Sequence, residues 1–278
     1  MNTLPLHTSI LIVSSEFPPT RGGVGQYAYE LAREFQAQAR SVCVLAAHQT
    51  KQDGEFDHSQ SFPVFRMPEF KLMPLRQIAR LWIILRTVAR LQPSSIVATE
   101  WRAGLWTSLA ARLYHKRFLV TAHGSEVLLA ASTRWRRVLA RLVYGQALRV
   151  MADSSYVCDL LRRLDVPREH IVIVLLGTCP VVQRSTPEEL LAFKRRWKLT
   201  ERLVLVTVAR LVRRKGHDTV LRALPQVIAS HPNVLYVIVG AGELRDELEK
   251  SAARLEIASH VLLAGNVADR ERDLFYEA

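Results

Sequence analysis

Four short stretches of the chain carry residues that could do chemistry on an anion or a sugar. Phe17–Gly25 reads FPPTRGGVG, between an apolar run and a helical pattern. Glycines at such a junction let the backbone approach a ligand closely, and the helix N-terminus turns its N–H groups toward it. The spacing is neither the GxGxxG dinucleotide fingerprint nor a Walker loop, so a plain structural turn accounts for it equally well. Val208–Gly216 reads VARLVRRKG, with Arg210 and Lys215 flanking a short turn. A planar guanidinium and a point-like ammonium suit two phosphate oxygens of a diphosphate, while Arg213 and Arg214 read as solvated. Val237–Glu243 reads VIVGAGE; Gly240 and Gly242 either leave space above a sheet or simply make a tight turn. Thr121–Glu126 reads TAHGSE and puts His123 at the end of an apolar run. A histidine there can reach a ligand, but taken alone it reads as a solvated or hydrogen-bonded loop residue.

The elements that must position these residues alternate. Strands are expected at Ser9–Ser15, Ser41–Ala46, Pro63–Met67, Ser95–Thr99, Phe118–Ala122, Leu148–Ala152 and Ile171–Leu175. Helical periodicity falls between them, at Val24–Gln36, Leu75–Leu91, Ala103–Tyr114, Arg134–Gly145 and Tyr156–Leu164. Strands separated by helices imply a parallel sheet covered on both faces, with ligands at the carboxyl ends of the strands. Gly177–Pro187, GTCPVVQRSTP, breaks the rhythm and reads as a linker. A second alternation follows: strands at Leu203–Ala209, Leu235–Val239 and Val261–Ala264, helices at His217–Ala229, Glu243–Leu255 and Asp269–Ala278. The expected class is therefore α/β, with two doubly wound units at residues 1–182 and 183–278. Three strands are few for the second, which is expected to leave a sheet edge and an apolar face uncovered, to be poorly stable or to associate, and to have little activity.

Composition bounds the partners. The chain of 278 residues is 49% apolar and 23% charged, which excludes a disordered tail, a collagen-like fibre or a disulfide-rich miniprotein. Three widely spaced cysteines, Cys43, Cys158 and Cys179, fit neither a disulfide framework nor a zinc site and point to a reducing cytoplasm. No signal peptide or membrane-spanning run is evident. The net charge of +12 is local: Arg66–Arg149 holds 15 basic residues against Glu69, Glu100 and Glu126, and the remainder balances. Such a block points to a polyanion. Nucleic acid is not the expected partner, because no helix-turn-helix, zinc finger or RNA-binding signature accompanies the charge.

Taken in order, FPPxxGGVGxYxxxLA, HGSE, ADSSYVCDLLRRLDVPREHIVIVLLG, VARLVRRKGHDTVLRAL, VIVGAGELRDELE and VLLAGNV resemble the retaining glycosyltransferases of family 4, over nearly the whole chain. That resemblance implies a GT-B fold of two Rossmann-like domains, the first on the acceptor side and the second binding a nucleotide-sugar donor. It implies transfer to a lipid-linked or saccharide acceptor with retention of anomeric configuration. By the same resemblance His123 is the catalytic-site histidine beside the transferred sugar, and Gly22 and Gly23 cover the donor diphosphate. Arg210 and Lys215 neutralise its charge, Gly240 and Gly242 lie near the nucleotide, and the Val267 backbone receives the base. Arg and Lys then do what a divalent metal does elsewhere, so neither metal nor other cofactor is expected. The departures are Ala209 where the family has glycine, LGTC at Leu176–Cys179 where it has an Asn-Gly-x-Asp turn, and the lack of its later loop with two glutamates seven residues apart. The last of these leaves an alternative: a catalytically incomplete fragment acting as a binding module.

Leu75–Leu91 reads LRQIARLWIILRTVARL. At 100° per residue Arg76, Arg80, Arg86 and Arg90 share one sector of roughly 120°, with Leu81, Trp82, Leu85, Val88 and Ala89 opposite. The expected arrangement packs that apolar face on the sheet and turns all four arginines, with Ile83 among them, toward an anionic membrane surface. The expected location is cytoplasmic, peripheral on the inner face of the cell membrane.

Overall fold

The computed structural model describes residues 10–20, 22–70, 72–177 and 184–278. The chain divides into two compact units, Met1–Thr178 and Cys179–Ala278. The expected boundary at 182/183, the centre of the expected linker and Cys179 lie outside the described residues.

In the first unit the elements run β1 (Ile10–Ser14), α1 (Gly23–Ala37), β2 (Val42–Ala47), α2 (Asp53–His58), β3 (Val64–Met67), α3 (Met73–Leu91), β4 (Ser95–Ala98), α4 (Trp101–Leu113), β5 (Arg117–Ala122), α5 (Gly124–Ala131), α6 (Arg134–Gln146), β6 (Arg149–Ala152), α7 (Ser155–Arg163) and β7 (Ile171–Ile173). All seven strands are parallel, in the order β3-β2-β1-β4-β5-β6-β7. Buried Val, Ile, Leu and Ala fill the central strands on both faces, as a sheet covered by helices requires. The strand order reverses between β1 and β4, and the crevice for a ligand in such a sheet lies at the carboxyl ends of that pair.

The second unit runs α8 (Pro187–Arg196), β8 (Leu203–Val208), α9 (His217–Ser230), β9 (Val234–Val239), α10 (Arg245–Arg254), β10 (Val261–Gly265) and α11 (Asp269–Glu277). Its three parallel strands lie in the order β10-β9-β8. The uncovered apolar face expected from the sequence is absent. Val234, Tyr236 and Ile238 pack on Leu221 and Leu224 of α9 and Leu248 and Ala252 of α10. The alternate residues Leu235, Val237 and Val239 meet Phe193 of α8 and Leu274 and Phe275 of α11. Helix α8 escapes the periodicity reading because it follows directly on the stretch read as a linker. Its signals are local: Thr186 caps the Glu189 N–H at 3.2 Å, Pro187 opens the helix, and Glu188 and Glu189 occupy the first turn. The edge at β8 does leave Leu203 and Leu205 exposed.

Helix α3 is rotated by roughly 90° from its expected setting. Ile84, Val88 and Leu91 are buried, Ile83 packs partly against the core, and Trp82 is 58% exposed. The rotation follows the i, i+4, i+7 set that fills the space beside the sheet, and Gln77 accepts a 2.7 Å hydrogen bond from Trp106 Nε1 of α4 that holds it. The basic sector is therefore split: Arg86 and Arg90 are exposed, whereas Arg76 and Arg80 are half-buried. Together these four do not form the single outward face expected of them.

Helices α4 and α6 approach closely at Gly104, where an added Cβ would stand 2.5 Å from Val143 Cγ1 and 3.4 Å from Phe118 Cζ. Val143 is buried and cannot swing away. Gly104→Val is expected to cost about 2 kcal/mol by overpacking, read from denaturant unfolding. Combining it with Val143→Ala should recover part of that loss.

Candidate functional site

On the first unit the candidate residues gather at the carboxyl ends of β1, β4, β5 and β6. The loop after β1 is held from β3, where Arg66 donates to the Pro18 and Ala47 carbonyls and forks onto Asp57 at 2.9 and 2.7 Å. Arg66, part of the basic block, is thus engaged internally. Gly22 and Gly23 stand at the start of α1. A Cβ at Gly22 would collide with the Glu16 carboxylate, and one at Gly25 would press on the Glu16–Phe17 backbone. Gly25 is therefore required by the loop's own backbone packing, whereas a Cβ at Gly23 would meet nothing within 4 Å.

His123 caps α5, a helix the sequence reading missed, so it is not a solvated loop residue. Its side chain is 13% exposed, and Nδ1 faces Asp153 Oδ2 at 3.3 Å at the end of β6. Nε2 lies 3.4 Å from Thr121 Oγ1, and the Tyr27 ring of α1 meets the imidazole edge-on at 5.1 Å. Burial, with the nearby Asp153 charge, raises the Tyr27 pKa above its ordinary value. Neither Asp153 nor Tyr27 stands out in the sequence; the signal for Asp153 is only a carboxylate at a strand end.

Beneath His123 lies Glu126, fully buried. Its Oε1 accepts from the His123 backbone N–H at 3.2 Å and from the Tyr144 hydroxyl at 3.1 Å. Its Oε2 accepts from the Trp101 N–H at 3.3 Å. The carboxylate thus ties the first residues of α4 and α5 to α6. Desolvation raises its pKa well above the usual value, and the neighbouring Glu100 adds to the rise. Glu100, at the end of β4, is itself raised by burial despite hydrogen bonds from Ser15.

On the second unit the turn after β8 carries Arg210 and Lys215, both exposed and, among the described residues, without an ion pair. Arg213 is paired with Glu247 at 3.1 Å, consistent with a surface role. The Arg210 carbonyl accepts from His217 Nε2 at 3.1 Å, and His217 is buried with Nδ1 3.3 Å from the Tyr236 hydroxyl. A carbonyl only accepts, so Nε2 carries the proton. His217, which the sequence reading did not single out, anchors the turn that presents Arg210.

Gly240, at φ +142°, and Gly242 do not open space above the sheet. A Cβ on Gly240 would strike the Ala209 carbonyl, and one on Gly242 the Leu211 backbone. They are glycines because the turns after β8 and β9 touch backbone to backbone, with Leu211 donating to Ala241 at 3.0 Å. Val267 follows β10 and is buried beside Leu274 and Phe275. Arg210, Lys215, Gly240, Gly242 and Val267 all follow the carboxyl ends of one sheet, as nucleotide contacts in a doubly wound unit do. Among the described residues no group of three His, Cys, Asp or Glu side chains could hold a metal ion. A groove of about 610 Å³, lined by Arg112, Lys116, Arg117 and Arg149, lies at the opposite edge and contains none of the candidate residues.

Residues 22–177 match the glycosyl transferase 4-like domain, and residues 191–278 match glycosyl transferases group 1. The chain is 30% identical over 271 residues to the GDP-mannose-dependent alpha-(1-6)-phosphatidylinositol monomannoside mannosyltransferase of Mycobacterium tuberculosis, covering 94% of this chain and 68% of that protein. The Mycolicibacterium smegmatis enzyme of the same name is 27% identical over 274 residues, covering 94% and 68%. Among solved structures, Anabaena Alr3699/HepE in complex with UDP superposes with a TM-score of 0.78 at 18% identity, over 95% of this chain and 71% of that one. Sucrose-phosphate synthase from Thermosynechococcus elongatus gives 0.76 at 18% identity, over 96% and 73%. These structures share the GT-B fold of two Rossmann-like units. The chain belongs to the group 1 glycosyltransferase family with a 4-like first domain. It is a nucleotide-sugar-dependent glycosyltransferase.

Glu126→Ala would strand three buried donors and is expected to cost roughly 3 kcal/mol or more. The folded pKa of Glu126 is raised, so its contribution is fully present below the ordinary glutamate value of 4.5. That contribution is lost as pH rises toward the folded value. The stability gap between wild type and Glu126→Ala, measured by urea unfolding, should therefore be larger at about pH 5 than at about pH 8.

Proposed function

We propose that this glycosyltransferase moves a mannosyl residue from GDP-mannose to a phosphatidylinositol-type lipid acceptor, with retention and without a divalent metal, while bound peripherally to an anionic membrane. The donor assignment is supported by the mannosyltransferase relatives. The observation that carries the chemistry is the pair of exposed cations, Arg210 and Lys215, on one turn at the sheet's carboxyl edge. Cleaving the sugar–phosphate bond leaves negative charge on the departing nucleoside diphosphate. Fixed guanidinium and ammonium groups stabilise that charge without reorganising, which is the service a metal would otherwise supply. His123, oriented by Asp153, acts on the transferred sugar, and Gly22 and Gly23, at the start of α1, cover the donor diphosphate. Retention rests on the family resemblance and is read from the anomeric configuration of the product.

The membrane assignment is supported by a surface different from the one expected. Phe70, Leu72, Met73, Leu75, Ile78 and Trp82 are all exposed along the first half of α3 and its approach, Leu72 by 64%. Arg86 lies 5.1 Å over the Trp82 ring. On α6 Trp135, Val138 and Leu142 repeat the pattern at helical spacing, with Arg136 5.1 Å over Trp135. Exposed tryptophan and aliphatic side chains flanked by arginine are what an interfacial helix presents. Among the described residues no helix is long and apolar enough to cross a membrane.

Arg210→Ala with Lys215→Ala should remove GDP binding in calorimetry without unfolding the chain, at about 1.5–3 kcal/mol per charge-assisted contact; unchanged affinity contradicts the donor assignment. In vesicle flotation, Ile78→Ser with Trp82→Ser should weaken binding to anionic lipid. Arg86→Gln with Arg90→Gln should weaken it by about 1 kcal/mol per charge, in a salt-sensitive way. Equal binding to neutral vesicles would contradict the electrostatic part.

A further inference from the structure

Arg76 and Arg80 are the two arginines of α3 that do not face outward, and their setting calls for an anion. They lie one turn apart on the flank of α3 next to Gln77, whose bond to Trp106 holds that flank against α4. The Nε atoms of both are shielded from solvent and have no hydrogen-bond partner. Among the described residues no carboxylate comes within ion-pair distance of Arg80. Arg76 has only Glu69, at 4.0 Å, and Glu69 is largely exposed. Helix α3 leaves the carboxyl end of β3 and runs back to the amino end of the parallel strand β4, so its first turns, which hold Arg76 and Arg80, lie at the carboxyl edge of the sheet. Glu100 ends β4 at that same edge, and Arg80 feels its charge.

Two half-buried guanidinium groups side by side repel each other. Burial and the Arg76 charge together push the Arg80 pKa below its ordinary value. A dianionic or monoanionic phosphate bridging the two would relieve both penalties, and the forked donors of arginine match its oxygens. The far side of the same helix carries the exposed Leu75, Ile78 and Trp82. If those enter the bilayer, the opposite flank of a helix about 10 Å across lies at the depth of lipid phosphates.

We infer that Arg76 and Arg80 form a subsite for the phosphate of the acceptor headgroup, placing its polyol at the catalytic edge near His123. This rests on the proposed phospholipid acceptor. It separates the four arginines of α3 into two roles: Arg76 and Arg80 hold the acceptor, and Arg86 and Arg90 meet the membrane surface.

The test is an NMR titration of the whole chain, with GDP saturating the donor site and again without nucleotide. The probes are glycerophosphoinositol, inorganic phosphate and free inositol. Wild type should bind glycerophosphoinositol, inorganic phosphate should compete at the same resonances, and inositol should not. Arg80→Gln, alone and with Arg76→Gln, should weaken headgroup binding by about tenfold or more. GDP affinity and vesicle flotation should stay at wild-type level, and Arg86→Gln with Arg90→Gln should leave headgroup binding unchanged. The subsite is overturned if the folded Arg76/Arg80 variant binds glycerophosphoinositol as wild type does. It is equally overturned if wild type binds inositol as well as it binds the phosphate-bearing headgroup, or binds neither. Failure of wild type to bind GDP would count against the donor assignment alone, because the nucleotide-free titration reads the headgroup independently.

Discussion

The edge of the first unit that carries the candidate residues depends on one buried carboxylate. Glu126 receives the His123 N–H, the Trp101 N–H and the Tyr144 hydroxyl, and so connects the starts of α4 and α5 to the last turn of α6. Helix N-termini leave N–H groups without intrahelical partners, and inside a protein those groups are costly unless something accepts from them. A single side chain answering two helix starts fixes the angle at which both leave the sheet. His123 is the cap of one of those helices, so its backbone is fixed by the same carboxylate that stabilises the fold, while Asp153 faces its imidazole. The burial that raises the Glu126 pKa is the cost of that arrangement. Of the three partners only Tyr144 can reverse its hydrogen bond, which lets Glu126 hold a proton without losing the tie.

The second unit solves the corresponding problem differently. Its turns after β8 and β9 are pressed together backbone against backbone, and Gly240 and Gly242 are the residues that permit the contact. His217 fixes the Arg210 carbonyl from below, leaving the guanidinium free to face solvent. The charged group is exposed while its backbone is held, which is the setting that the proposed diphosphate contact requires.

The basic block of the first domain is not one surface. Arg66 is used internally to hold the loop after β1. Arg137 and Arg141 share Asp165 at 3.9 and 3.0 Å. Arg86 and Arg136 lie over exposed tryptophans. Arg76 and Arg80 lie at the carboxyl edge of the sheet. A net charge of +12 thus records several separate tasks.

The sequence by itself determined the α/β alternation, because fully buried parallel strands read as unbroken apolar runs whatever packs on them. It also determined the glycine loop and the Arg210–Lys215 turn, since motifs local in the chain keep their geometry wherever the domain lies. Helices α2 and α5 escaped because each is too short for an apolar period to show, and α8 because it follows directly on the stretch read as a linker, although it carries capping signals. The rotation of α3 was decided by tertiary structure: its sequence offers two competing apolar stripes, and only the sheet and the Gln77–Trp106 bond choose between them. The pairing of His123 with Asp153 was likewise beyond reach, because the residues are 30 positions apart and meet only through the order of β5 and β6 in the sheet. Glu126 was in view within HGSE, but its partners come from three helices, and no spacing in a linear chain records that convergence.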